Sequence, residues 1–109
     1  MDDEKYATAF EIIAHAGTAK GCALEAIDAS GEGDFKEADN LLKEGRDEMH
    51  ACHDAQFSML TQEANGTPVE LNVILVHALD HLTMAIMTLD LAEKVVERDK
   101  RRAGVSLDA

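Results

Sequence analysis

The chain has 109 residues, 46% apolar and 29% charged, which is enough for one modest hydrophobic core and too apolar for a disordered segment. Its formal net charge of -12 excludes the basic footprint that DNA, RNA or an anionic membrane surface demands, and favours a basic partner. Aromatic residues make up 4%, with no Trp and a single Pro, a composition that suits helices.

From about residue 4 to residue 30, Tyr6, Phe10, Ile13, Gly17, Leu24 and Ile27 recur at helical spacing and predict the buried face of a first helix. The stretch "SGEGDF" breaks that pattern. Gly31 and Gly33 end the helix, and Asp34 followed by Glu37 forms the N-terminal cap of the next. The second stripe is Phe35, Ala38, Leu42, Gly45, Met49, Cys52, Gln56 and Met59, alternating three and four residues in a coiled-coil-like seam. Gly17 and Gly45 fall inside helices, where each costs about 1 kcal/mol against Ala, so both are expected at close helix approaches.

Asn65 and Gly66 stop the second helix, and Thr67-Pro68-Val69-Glu70 carries a cap, a proline and a Glu in the order that starts a third, near Pro68. That helix is expected to run to about Arg102, with Lys94, Arg98, Lys100, Arg101 and Arg102 at the negative end of its dipole. The whole chain, residues 1–109, thus reads as a single all-α domain, an up-down-up antiparallel three-helix bundle. No basic, apolar, small-residue leader precedes it, which predicts a cytoplasmic protein. Cys22 and Cys52 lie outside any CxxC motif and are expected as small buried hydrophobes.

The third helix raises the chemical question. Val73, Val76, Asp80, Met84, Met87 and Leu91 form one stripe, and Ile74, His77, His81, Met84 and Leu91 an adjacent one. A membrane span would put His77, Asp80, His81 and Asp90 in hydrocarbon, so direct insertion is not expected. A helix apolar on two sides of a small bundle needs a second partner, and another copy of the chain is the simplest supplier. In a cyclic assembly several copies of Asp80 would meet near the axis, where like charges raise each other's pKa or recruit a metal, an oxygen-only cluster suiting a hard cation such as Mg2+.

His77 and His81 are four apart and share a face. Their spacing alone fits packed interface histidines, two ligands of a metal site, or a nucleophilic imidazole with a neighbouring hydrogen-bond donor. Two other function classes therefore stand beside phosphoryl chemistry: a non-catalytic acidic helical adaptor, and a metal-binding helix bundle that uses His50, His53, His77 and His81.

The segment "VHALDHLTM" resembles the H-A/G-Q-D-H-L-M signature of the lactose/cellobiose-specific IIA components of the bacterial phosphotransferase system (PTS). "FEIIAHAG" at 10–17, "GDFKEAD" at 33–39, and His53, Gln56, Met59 and Leu60 extend the resemblance along nearly the whole chain. The resemblance implies a homotrimeric phosphocarrier, an EIIA phosphotransferase that takes a phosphoryl group from HPr and gives it to a cognate IIB component. IIB in turn serves the membrane-embedded IIC during uptake of a β-linked disaccharide of cellobiose, chitobiose or lactose type. It implies that His77 is the phosphoryl acceptor, that His81 is a supporting donor, and that Asp80 joins its copies around one Mg2+ on the trimer axis. Leu79 departs from the family's Gln, which puts a hydrogen bond to the phosphate or to IIB in doubt. His53 and Gln56 match the family pattern and are expected near the site of this or a neighbouring subunit.

Overall fold

Two breaks in the chain set the lengths of three long helices. The computed structural model describes residues 3–107, in which α1 spans Asp3–Gly31, α2 Phe35–Ala64 and α3 Val73–Ala103. They lie side by side in an all-α rod measuring 54 × 24 × 16 Å.

The first turn follows the expected chemistry. Gly33 takes a φ of 83°, and Asp34 Oδ1 accepts the Glu37 N–H at 3.2 Å, satisfying one of the unpaired donors at the start of α2. α2 ends at Ala64, Asn65 caps it, and Gly66 turns the chain with a φ of 89°. The third helix does not begin near Pro68. Residues 67–72 stay outside it, and Asn72, a stronger cap than Thr67, sets its start by accepting the Leu75 N–H on Oδ1 at 2.8 Å. The intervening segment is held back on α2 by Gln62, whose side-chain amide donates to the Pro68 carbonyl. α3 ends one residue beyond the expected point, with Gly104 in the left-handed conformation.

The α2 seam faces inward as its spacing predicts: Ala38, Leu42, Gly45, Met49 and Cys52 are buried, joined by Leu41. The face assigned to α1 is turned. Its buried residues are Ala9, Ile12, Ala16, Ala19, Cys22, Ala23, Ala26 and Ser30, whereas Phe10 is 58% exposed, Leu24 47% exposed, and Gly17 meets no neighbour within 4 Å of an added Cβ. The cause is steric. α1 packs along both other helices, which touch each other far less than either touches α1, and an alanine stripe lets both approach it closely.

α3 completes the core with Leu75, Ala78, Leu82, Ala85, Leu89, Ala92 and Val96, large and small residues in alternation. Gly45 sits where the three helices converge. A Cβ there would lie 2.8 Å from Leu89 Cδ2, 3.3 Å from the Ala19 carbonyl oxygen and 3.3 Å from Cys22 Cβ. The two cysteines are free and buried, and burial pushes both thiols up, with Glu44, Glu25 and Glu48 adding to the effect at Cys22 and Glu48 at Cys52. They therefore stay protonated at neutral pH and act as core hydrophobes.

One basic residue of the last α3 turn has a task beyond the helix dipole. Lys100 is buried, and its ammonium donates to both carboxylate oxygens of Asp39 at 2.9 and 2.8 Å, clamping the end of α3 to the start of α2. Ser30 donates to Asp99 at 2.8 Å and ties in α1.

The two mid-helix glycines should respond oppositely to the same change. Gly17→Ala should raise the chain's stability by about 0.5–1 kcal/mol through helix propensity alone. Gly45→Ala should lower it by about 1–3 kcal/mol, because the rigid Ala19 backbone cannot yield as the Leu89 side chain can. Urea denaturation of the two variants checks both signs.

Candidate functional site: the outer face of the third helix

An α-helix advances roughly 100° per residue, so positions four apart stack on one face. His77 and His81 meet in that way. Their Nε2 atoms stand 3.1 Å apart, with ring centroids separated by 4.6 Å and planes crossing at 85°. A hydrogen bond between two neutral imidazoles needs one Nε2–H and one Nε2 lone pair, so the rings must hold complementary tautomers. His77 is exposed and His81 half-buried, which leaves the pair open to a macromolecular partner.

Beside the pair runs the outer stripe of α3. Val73 is 87% exposed, and Val76, Met84, Met87 and Leu91 are exposed as well. Asp80 lies among them, also exposed, and no cation among the described residues pairs with it. This stripe is why α3 is long and apolar enough to cross a membrane by length and composition, although only 28% of its most apolar window is buried within the bundle. It is an apolar helix surface left in water by its own chain, with one carboxylate at its centre.

Leu79 does not share the histidine face. Two residues from His77 it is turned by roughly 200°, and it packs against the core. A side chain at position 79 therefore points away from His77 of the same chain.

Among the described residues no hydrogen bond joins His53 or Gln56 to the histidine pair. His50 and His53, both exposed, line a groove of ≈ 580 Å³ between α2 and α3 together with Phe57, Ile86 and Asp90. Gln56 is half-buried on α2. Among the described residues no three His, Cys, Asp or Glu side chains gather, so a metal centre built from His50, His53, His77 and His81 is not assembled in one chain. Arg46 also lines this groove and pairs with Glu93 of α3, a long-range contact that no local sequence pattern marks.

Comparison with known proteins agrees with this geometry. Residues 7–100 match the family model described as the PTS system, lactose/cellobiose-specific IIA subunit. The chain is 41% identical over 92 residues to the lactose-specific EIIA component of Staphylococcus aureus, spanning 84% of this chain and 89% of that one. It is 35% identical over 97 residues to the lichenan-specific phosphotransferase enzyme IIA component of Bacillus subtilis, covering 89% and 88%. The crystal structure of the cellobiose-specific enzyme IIA from Bacillus anthracis superposes with a TM-score of 0.88 at 28% identity, over 97% of each chain. A match of this extent covers all three helices and the histidine pair, and the chain belongs to the lactose/cellobiose-specific IIA family of the phosphotransferase system.

Proposed function

We propose that the protein is a cytoplasmic phosphocarrier that accepts a phosphoryl group from phospho-HPr on Nε2 of His77 and passes it to its cognate IIB component. The observation that carries this reading is the Nε2–Nε2 contact of 3.1 Å between an exposed His77 and the half-buried His81. In the resting tautomer His81 donates its Nε2–H, which leaves His77 with the lone pair that attacks phosphorus in line. As the N–P bond forms and the donor's N–P bond breaks, the His81 N–H transfers its hydrogen bond to a phosphoryl oxygen. One donor in an open site stabilises the phosphoryl group without trapping it, which suits a group that must leave again.

The exposed α3 stripe supports a homotrimer in which α3 lines the axis. Burying side chains such as Val73, Met84 and Met87 recovers about 1.5–3 kcal/mol each. Asp80 then meets its two copies. The donor set fits a hard cation: carboxylate oxygens alone, unpaired with Lys or Arg among the described residues, with Val76 and Met84 as apolar neighbours on the stripe. Asp80 from each subunit would hold Mg2+, whose charge offsets the repulsion among the three carboxylates. The transported sugar is a β-linked disaccharide of cellobiose, chitobiose or lactose type, a reading supported by the lactose-specific and cellobiose-specific relatives.

Incubation with phosphoenolpyruvate, enzyme I and HPr should add one phosphate to the intact chain, acid-labile and absent from His77→Gln. No gain with a demonstrably active HPr, or an equal gain in the variant, overturns the assignment. Sedimentation equilibrium should report three times the chain mass, and Met84→Glu, which sets a second carboxylate one turn from Asp80 on the exposed stripe, should shift the protein toward monomer with its helix content kept.

A further inference from the structure

The geometry that prepares His77 for phosphorus also prepares it for a metal ion. Zn2+ bound by imidazoles at about 2.0–2.1 Å in tetrahedral geometry holds its nitrogens roughly 3.3 Å apart. The two Nε2 atoms here stand at 3.1 Å, so an opening of a few tenths of an ångström, with side-chain rotation that turns both lone pairs toward one point, gives one ion both ligands. The backbone needs no change, because both residues lie within α3 and are one turn apart.

Among the described residues neither imidazole hydrogen-bonds a carboxylate or a carbonyl, and the hydrogen bond each ring has is to the other. His15 shows the contrast, since its Nδ1 is engaged by the Glu48 carboxylate. Among the described residues no third His, Cys, Asp or Glu joins the pair, so a bound ion keeps open positions for water and exchanges freely.

We propose that His77 and His81 chelate a borderline divalent transition metal, Zn2+ in the first instance, and that this ion and the phosphoryl group exclude each other because both need the Nε2 lone pair of His77. On binding, the ring that carries the Nε2 proton carries it at Nδ1 instead, so both rings stay neutral and both lone pairs face the ion. Imidazole nitrogens select such an ion over Mg2+, and the Asp80 oxygens show the opposite preference, so the two positions take different metals. Free Zn2+ thereby acts as a reversible brake on phosphoryl acceptance, and a phosphorylated chain is immune to it. The exclusion rests on the phosphocarrier reading, whereas the chelation does not.

The test is Zn2+ binding by equilibrium dialysis in excess Mg2+, using wild type, His81→Gln, the double variant His77→Gln/His81→Gln and the double variant His50→Gln/His53→Gln, each checked for helix content. Wild type and the His50/His53 variant should bind one more Zn2+ per chain than the His77/His81 variant, and His81→Gln should weaken that site by about tenfold or more through loss of one of two ligands. Equal binding by wild type and the His77/His81 variant overturns the proposal. Phosphorylated wild type, prepared without Zn2+ and freed of the relay proteins, should lack this site; binding at unchanged affinity overturns the exclusion while leaving the chelation. Failure of phosphorylation in metal-free buffer would count against the carrier reading alone, since the dialysis result does not depend on it.

Discussion

Everything else in the structure depends on how closely two long helices can approach α1. A stripe of Ala9, Ala16, Ala19, Ala23 and Ala26, interrupted by Ile12 alone among its three-and-four positions, removes most of the side-chain bulk that would hold α2 and α3 away. The interlocking side chains come from the other two helices, in α3 as an alternation of Leu and Ala and in α2 around Gly45. α1 is thus a narrow spine, and its larger residues Phe10 and Leu24 are displaced to the surface. Because α2 and α3 both lean on that spine, they part from each other and leave a groove lined by His50, His53 and Phe57.

The same arrangement decides where chemistry is possible. The inner face of α3 is used up by Leu75, Leu82, Leu89 and Val96, so its second apolar face has no cover in the chain. A symmetric assembly through that face would bring Asp80 to the axis and set the histidine pair at its edge, still within reach of a partner protein. Neither the core nor the axis then has to hold the reactive group. The carrier needs a stable platform and an open imidazole, and a closed active site would hinder a group that must be handed from one protein to another.

Much of the fold is legible in the residues themselves. The α2 stripe, the Asp34 cap and the stop at Asn65-Gly66 follow from local rules because one residue type dominates each decision. α1 shows the limit: its alanines and its bulky residues repeat with the same period one position apart, so spacing defines a face only up to a rotation, and size draws the eye to the wrong one. At the start of α3 two cap grammars compete, and Thr67-Pro68 loses to Asn72 once Gln62 holds the connecting segment on α2. Gly17 and Gly45 look alike in sequence, and only the second lies at a helix crossing. Of the site, the shared face of His77 and His81 is visible from a spacing of four, but the contact between two Nε2 atoms depends on side-chain rotation that no pattern records. The position of Leu79 is the reverse case: helical geometry alone places it away from His77, and that geometry, more than the missing amide, decides what it can touch.

If His77 holds a phosphoryl group on its way elsewhere, onward transfer is a sharper test of that role than acceptance. The phosphorylated protein, purified away from HPr and mixed with its cognate IIB component, should lose its phosphate as IIB gains one, with both changes read by intact mass. Phosphate that stays on this chain, or that leaves only as free phosphate while IIB remains unmodified, would contradict the account.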